Sequence, residues 1–506
     1  MIFLHRQSIL RSTILLTLAN LALRSVSLLF QAYLANTIGP EGIGKMQLVL
    51  TVGGFAMTLG TSGVRVAAMN LTARHWGRGD VPSMKKALFC CLLYGLFASV
   101  LAGFALFAAA PAVARRFVGD TAVIPALYLL ALSLPANCLT AVLSGCFTAR
   151  GKIRQLVAVE VAERILSILF TVLLLGFWAD GDTERILCSV IGGSSLSTLL
   201  SLAILGGILY AELRRIRGGE EIPMLKQLLQ LCVPLALSDY LRSGLSTLEQ
   251  FLIPRGLRLF GSATAMADYG VIGGMVFPVL MFPAALFYSL SDLLVPELSR
   301  CLAQGRHIRI RGLTARCLRI GLVFSALVAG LMYALAPALG QLIYQNADAG
   351  RYLQIFAPMI FMLYSDALTD GMLKGLGEQV ASVRYNTVTA AADVVLLYLL
   401  LPRWGIGGFV FTFAVTHGVN FFLSIRRLMT VTGFCPDLRH AARTSAASIL
   451  SAAFAMKLSP PLPRVVSLIL SGSVFAAVFF LLCFFLKAFR PRDLIPFGLT
   501  KKHSVQ

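Results

Sequence analysis

The sequence is divided into apolar runs of about twenty residues, separated by short stretches that carry charges, glycine or proline. A helix of about twenty apolar residues crosses the ~30 Å hydrocarbon core of a bilayer. The runs therefore predict an all-α membrane protein of about fourteen transmembrane helices. The predicted spans are 9–35, 43–70, 86–110, 122–148, 156–178, 186–211, 227–254, 265–293, 313–337, 352–373, 380–401, 406–425, 440–457 and 465–487.

The composition agrees with lipid as the solvent of most of the chain. Hydrophobic residues make up 57% of it and charged residues 13%, against about 25% charged residues in an average soluble domain. The net charge of +21 would suggest a nucleic-acid partner in a soluble protein. In a membrane protein the same excess is expected in cytoplasmic loops, so no nucleic-acid partner is predicted.

The distribution of lysine and arginine fixes the predicted orientation. With the N-terminus in the cytoplasm, the predicted inside segments hold 30 of these residues and the outside loops hold 10. A missed span would invert all later loops and erase this bias, which is the one that the positive-inside rule describes. An even number of spans then places both termini in the cytoplasm.

Two short matches indicate an internal repeat. Leu23-Arg24-Ser25 in the first span recurs as Leu241-Arg242-Ser243 in the seventh, and Gly145–Gly151 aligns with Gly371–Gly377, 226 residues later. A repeat of six spans is even, so the two copies are parallel, as in many transporters. The predicted parts are an N-lobe (1–213), an inter-lobe loop (214–226), a C-lobe (227–427), two additional spans (428–490) and a cytoplasmic tail (491–506).

Four arginines remain inside predicted spans, where each charge costs about 2.5–3.5 kcal/mol at the helix centre: Arg24, Arg65, Arg164 and Arg242. Arg164 follows Glu160 by one helical turn, which favours an ion pair. Arg242 shares a helix face with Asp239 and Glu249, which indicates either a buried network or a cavity wall.

Arg24 and Arg65 differ because neither has an acidic residue within helical reach on its own span. They either pair with acids on other helices or bind an anionic ligand. A guanidinium offers planar, permanently charged, bidentate donors that match phosphate oxygens. Arg24 and Arg242 occupy equivalent positions of the repeat, and together they suit a diphosphate.

Two carboxylates in later spans, Asp366 and Asp393, are candidates for coupling transport to an ion gradient, with helix capping or ion pairing as the alternative. No P-loop is present, none of the ten cysteines forms a CxxC pair, and the histidines lack metal-ligand spacing. No cofactor or metal is therefore predicted. The loops are too short for a separate catalytic domain, so the chain is not predicted to be an enzyme.

Several motifs resemble a known superfamily. They are Leu34–Gly44 (LANTIGPEGIG), Thr61–Val64 (TSGV), Gly375–Gly377 with Tyr385-Asn386, and Leu401–Gly408 (LPRWGIGG). The sequence resembles polysaccharide exporters of the multidrug/oligosaccharidyl-lipid/polysaccharide superfamily, which also contains the lipid II flippases.

The resemblance implies two six-helix lobes around a central cavity, two extra C-terminal spans and a place in the bacterial inner membrane. It implies alternating access that moves a lipid-linked saccharide on a polyprenyl diphosphate from the inner to the outer leaflet. The implied partners are this substrate, membrane lipids and a cell-wall or spore-cortex synthase. Arg24 and Arg65 match, in type and placement, the cavity arginines of lipid II flippases, whereas Asp239 beside Arg242 departs from that pattern.

Two other functions compete with the flippase. An ion-coupled multidrug exporter of the same fold would bind cationic drugs through carboxylates, but the unmatched arginines would repel cations. A membrane-embedded glycosyltransferase or polymerase would need a sizeable outer loop, and the predicted outer loops are short.

Overall fold

A computed structural model describes residues 2–178, 182–214, 224–457 and 464–488, with side chains from Ala22 onward apart from Asp292 and Arg464. Within these ranges every regular element is helical. The predicted tail 491–506 and most of the predicted inter-lobe loop (215–223) lie outside the described residues. The prediction of an all-α polytopic fold is confirmed.

The described helices form two compact units. The first unit is Thr37–Gly270, and the second unit combines Met1–Asn36 with Val271–Gln506. The second to seventh predicted spans thus belong to the first unit, and the first span belongs to the second unit. The predicted lobe bounds, 1–213 and 227–427, stay a prediction.

The first unit begins inside α1, where Gly39 (φ 71°) interrupts the helical backbone between two predicted spans. Polar side chains start two of its later helices: Asp80 Oδ1 accepts from the backbone N–H of Ser83 at 3.1 Å, and Asp182 caps the sixth. The helices are α1 (Ile2–Thr61, from Thr37 onward), α2 (Val64–Gly77), α3 (Val81–Val113), α4 (Ile124–Ala149), α5 (Ile153–Trp178), α6 (Thr183–Leu213), α7 (Met224–Phe260) and α8 (Ala265–Gly270).

The second unit contains the first part of α1, a π-helical turn at Val271–Val276 and nine further helices. These are α9 (Phe277–Met281), α10 (Ala285–Ala303), α11 (His307–Tyr344), α12 (Ala347–Phe356), α13 (Ile360–Gly375), α14 (Gln379–Trp404), α15 (Ile406–Thr432), α16 (Leu438–Lys457) and α17 (Arg464–Phe485). The last two pack against α11, where the buried rings of Phe475 and Phe479 lie beside Ala326. A Cβ at Gly330 of α11 would lie 2.8 Å from the Phe475 ring, so this contact depends on glycine.

Each of the fourteen predicted spans coincides with a described helix or with a broken pair of helices. By length and apolarity alone, eight helical segments of the described residues qualify as membrane spans, or nine when a broken pair is counted as one. The helices of four predicted spans do not qualify: α5, α7, α12 with α13, and α16. Of these, α5 and α7 carry the charges of Glu160, Arg164, Asp239, Arg242 and Glu249.

Two of the predicted spans are broken. The second span, predicted as one helix over 43–70, is interrupted between α1 and α2, where Gly63 has a φ of 73°. The eighth span is interrupted between α9 and α10, where Pro283 removes a backbone donor. The two breaks occupy equivalent places in the six-span repeat.

The aligned glycines of the repeat make equivalent close contacts with these broken spans. A Cβ on Gly145 of α4 would lie 2.6 Å from the carbonyl oxygen of Arg65 on α2. A Cβ on Gly371 of α13 would overlap the hydroxyl of Ser291 on α10. In each unit, therefore, the fourth helix of the repeat packs against the broken second helix at a position that only glycine fits.

The turns that follow these glycines form equivalent ion pairs of opposite polarity. In the first unit Arg150 and Lys152, after α4, both bond to Glu212 at the end of α6. In the second unit Glu378, after α13, accepts a bidentate pair from Arg427 of α15, with N–O distances of 2.8–3.0 Å. Each turn is thereby fastened to the last helix of its repeat.

Candidate substrate and coupling sites

The break in the second span places the start of α2 against α7. The Cα of Gly63 approaches α7 so closely that a Cβ would lie 2.7 Å from the carbonyl oxygen of Cys232. Its left-handed φ is one that residues with a Cβ adopt at a cost. The first N–H groups of α2 have no partner within their own helix, which makes a helix start favourable for anions.

Polar bonds fix the break to the middle of α7. Ser62 Oγ donates to Asp239 Oδ2 at 2.7 Å, and Ser243 Oγ donates to Thr58 Oγ1 at 3.2 Å. Asp239 also forms an ion pair with Arg242, at 3.7 Å. The side chains of Asp239 and Arg242 are 42% and 73% exposed, so this pair lies on a surface of the unit and not in a buried network.

Arg65 lies in the first turn of α2, and its side chain is exposed. Its positive charge acts on the carboxylate of Glu160 on α5, which also experiences the like charge of Glu163. Arg164 is exposed on the same helix, and the two described side chains of Glu160 and Arg164 form no ion pair. The favourable electrostatic interaction of Glu160 is therefore with Arg65 on another helix, without an ion pair between the two.

The remaining charged candidate of the first unit is Glu249. Its half-buried carboxylate lies one residue before Gln250, whose Oε1 accepts a 2.8 Å hydrogen bond from Tyr269. Glu249 has a polar interaction of its own. It is thus part of the packing between α7 and α8, two turns away from Arg242.

In the second unit, Arg24 of α1 is exposed, and its guanidinium carbon lies 5.4 Å above the ring centre of Tyr288 on α10. A cation–π contact of this kind contributes about 0.5–1 kcal/mol at an exposed site. Side-chain bonds fix the helix around it: Gln31 donates to the carbonyl of Gly274 at 3.1 Å, and Asn36 to that of Ile343 at 2.9 Å. Arg24 is therefore held on a rigid helix with its guanidinium accessible.

Neither Arg24 nor Arg65 forms an ion pair with any side chain that the structure describes. Both are charged groups within predicted membrane spans, where a charge is normally paired or faces water. Each therefore keeps donors for an anionic ligand.

A polar cluster joins α13, α14 and α15 in the second unit. Asn420 Nδ2 donates to Asp366 Oδ2 and to Asn386 Oδ1, both at 2.9 Å. The other oxygens of the pair, Asp366 Oδ1 and Asn420 Oδ1, are buried without a hydrogen-bond partner. Unsatisfied buried acceptors are uncommon. Binding of a proton or a hard cation would satisfy these two oxygens.

Asp393 lies further along α14. Its side chain is buried and accepts a 3.1 Å hydrogen bond from Thr416 of α15, and it has a further interaction. Its place is consistent with helix packing as well as with coupling. In the part of the chain that the structure describes, no group of three or more His, Cys, Asp or Glu side chains could hold a metal.

The sequence did not assign a site role to Ser62, Asn386 or Asn420, which act through partners at least 34 residues away. Ser62 and Asn386 belong to motifs that resemble the polysaccharide exporters, whereas Asn420 only interrupts an apolar run. Neither signal identifies the residue to which each side chain bonds.

Broken membrane helices, charged groups at mid-span and a repeated six-helix topology define a transporter fold. The fold is similar to that of the lipid II flippase MurJ in an inward closed conformation, with a TM-score of 0.74 at 11% identity, covering 94% of this chain and 99% of that one. An inward-facing multidrug transporter of the MATE family has a TM-score of 0.61 at 16% identity, covering 82% and 96%.

The sequence profile of the polysaccharide biosynthesis protein family matches residues 9–301, and the chain belongs to this family. Stage V sporulation protein B of Bacillus subtilis (strain 168) is 22% identical over 426 residues, which is 82% of each chain. The chain is therefore a multi-pass membrane protein whose fold is similar to those of the lipid II flippase MurJ and a MATE transporter.

Proposed function

We propose that this protein is a flippase that moves a lipid-linked saccharide on a polyprenyl diphosphate from the inner to the outer leaflet of the bacterial inner membrane by alternating access. The observation that carries the proposal is the pair of exposed arginines, Arg24 and Arg65, at predicted mid-membrane depth, neither of which forms an ion pair with a described side chain. Family membership and the similarity to the lipid II flippase MurJ support the class of substrate. Similarity to the sporulation protein supports a role in sporulation. A role in spore-cortex or cell-wall synthesis, with a synthase as partner, is part of this proposal.

In this proposal each guanidinium group binds phosphate oxygens of the substrate from its own unit. Arg65 adds its charge to the partly positive start of α2, so that backbone N–H groups and a bidentate fork converge on one anion. Arg242 provides a weaker contribution because Asp239 neutralises part of its charge. Arg24 keeps its orientation through Tyr288.

The test is translocation of a labelled polyprenyl-diphosphate saccharide in proteoliposomes. Arg24→Ala and Arg65→Ala should each reduce the rate by more than tenfold, since a charge-assisted hydrogen bond contributes about 1.5–3 kcal/mol. Lysine in the same positions should restore part of the rate because it keeps the charge but not the fork. Arg164→Ala on α5 is the matched control and should leave the rate within about twofold. Unchanged translocation in both alanine variants would refute the cationic site.

We propose further that Asp366 couples transport to an ion gradient, with Asn386 and Asn420 as its polar neighbours. The two unpartnered oxygens support binding of a proton or Na⁺. Asp366→Asn should abolish the dependence of the translocation rate on the ion gradient. Asp393→Asn tests the same role for Asp393, whose carboxylate already accepts a hydrogen bond from the hydroxyl of Thr416. A gradient dependence that survives Asp366→Asn would exclude Asp366.

The alternative is an ion-coupled multidrug exporter, and the same polar cluster together with the MATE-like fold favours it. A cationic dye loaded into the proteoliposomes separates the two functions. Gradient-driven export of the dye, with no movement of the lipid-linked saccharide, would support the exporter and contradict the flippase.

A further inference from the structure

A deep apolar groove lies within the first unit, away from the arginines of the candidate site. It runs between α3 and α6, with α4 at its base and the first turn of α7 at one end, and has a cavity volume of about 1310 Å³. This exceeds the ~300–1,000 Å³ of an ordinary small-molecule site. Exposed rings of Phe89 and Phe97 line one wall, and Gly206 of α6 leaves the opposite wall open.

The length of the groove corresponds to one leaflet. From Lys86 to Phe97 on α3 the helical rise gives about 16 Å, and half of a ~30 Å hydrocarbon core is about 15 Å. The groove is therefore as long as the acyl region of a single leaflet. A hydrocarbon chain can lie along it from the headgroup level to the bilayer centre.

All the basic residues of the groove lie at the same end. Lys85, Lys86 and Arg214 line that end, and Lys85 Nζ donates to the carbonyl oxygen of Leu213 at 3.2 Å, which brings the start of α3 to the end of α6. A cationic rim above an apolar groove one leaflet long complements a phosphate headgroup with acyl chains below it.

We infer that the first unit binds an anionic phospholipid in this groove, with the phosphate at Lys85, Lys86 and Arg214 and an acyl chain between α3 and α6. The inference does not depend on the cargo of the transporter. The predicted orientation places the basic rim in the cytoplasmic leaflet.

The test is native mass spectrometry of the full chain, purified from vesicles that contain equal amounts of phosphatidylglycerol and phosphatidylcholine. Gly206→Leu fills the groove, and Gly207→Leu is its matched control, because both Cβ positions are open on α6 and only Gly206 lines the groove. Gly206→Leu should reduce retained phosphatidylglycerol roughly tenfold, the loss expected for about two CH₂ contacts. Gly207→Leu should retain the wild-type amount.

The charge arm uses Lys86→Gln with Arg214→Gln, two exposed side chains whose replacement keeps the bond from Lys85 to Leu213. The retained phosphatidylglycerol should fall about thirtyfold, since each basic residue near a membrane surface contributes about 1 kcal/mol to the binding of an anionic lipid. Arg306→Gln with Arg311→Gln removes the same charge on the same predicted side and should have no effect.

Three results would overturn the inference. Equal retention of phosphatidylcholine would show that no anionic headgroup is selected. Equal loss in the Gly206 and Gly207 variants would show that the groove is not the site. Displacement of phosphatidylglycerol by an equimolar polyprenyl phosphate would show that the groove belongs to the cargo lipid.

Discussion

Replacing Glu212 with glutamine should destabilise the first unit by about 3 kcal/mol. Glu212 accepts bonds from Arg150 and Lys152, and the Arg150 side chain is only 4% exposed. Removing one partner of a buried ion pair costs about 3–5 kcal/mol because the other charge stays buried. The lower value applies here, since Glu212 itself is 29% exposed. After the change, the Trp76 ring, 5.0 Å away, remains against the guanidinium.

The assay is the temperature at which half of the detergent-solubilised protein loses its monodisperse elution peak. A loss of 3 kcal/mol corresponds to roughly 6–12 °C for a cooperative unit of this size. A second substitution, Arg150→Met, should recover most of this loss, because an apolar side chain against Trp76 leaves no buried charge. If the double variant is as unstable as Glu212→Gln alone, the unpaired guanidinium is not the cause and the reasoning fails.

Three further outcomes are expected. Arg427→Gln should reduce the free energy of unfolding by only about 1 kcal/mol, because Arg427 and Glu378 are 40% and 22% exposed. Exchanging the two residues should restore the midpoint temperature of the wild type. Gly63→Ala should reduce the free energy of unfolding by about 1–3 kcal/mol, the cost of a left-handed backbone with a Cβ. An unchanged midpoint temperature would mean that the backbone at the break is not held in this conformation. The hydrogen bond from Lys45 holds the pKa of Asp120 below its ordinary value, so this pair stabilises the fold above about pH 4 and the contribution is lost as the pH falls below that. Asp120→Asn should therefore flatten the acid side of the midpoint-against-pH curve.

The positions of the helices could be predicted because a membrane span is a local property of the sequence. Twenty apolar residues and a charged flank define it without reference to any other part of the chain. The break at Gly63 could not be predicted in the same way. It depends on the close approach of Cys232, and nothing within residues 43–70 reveals that contact.

The contacts of the candidate site likewise fall into local ones, which the sequence predicts, and long-range ones, which it does not. The ion pair of Asp239 with Arg242 was foreseeable, because a spacing of three residues brings two side chains to one helix face. The same rule suggested Glu160 with Arg164, yet these two form no ion pair and Glu160 interacts electrostatically with Arg65 on another helix. Whether a charged side chain pairs within its own helix or with another helix depends on how the helices are arranged. Helical periodicity alone does not give that arrangement.

The opposite polarity of the two turn-to-helix ion pairs has a consequence for assembly. Two similar six-helix repeats in one chain offer each turn a wrong partner, the terminal helix of the other copy. In that wrong pairing Lys152 would meet Arg427 and Glu378 would meet Glu212, both like-charge contacts, which disfavour the wrong arrangement. During insertion of the nascent chain, the reversed charges thus favour pairing of each turn with the terminal helix of its own repeat, although both repeats lie in the same bilayer.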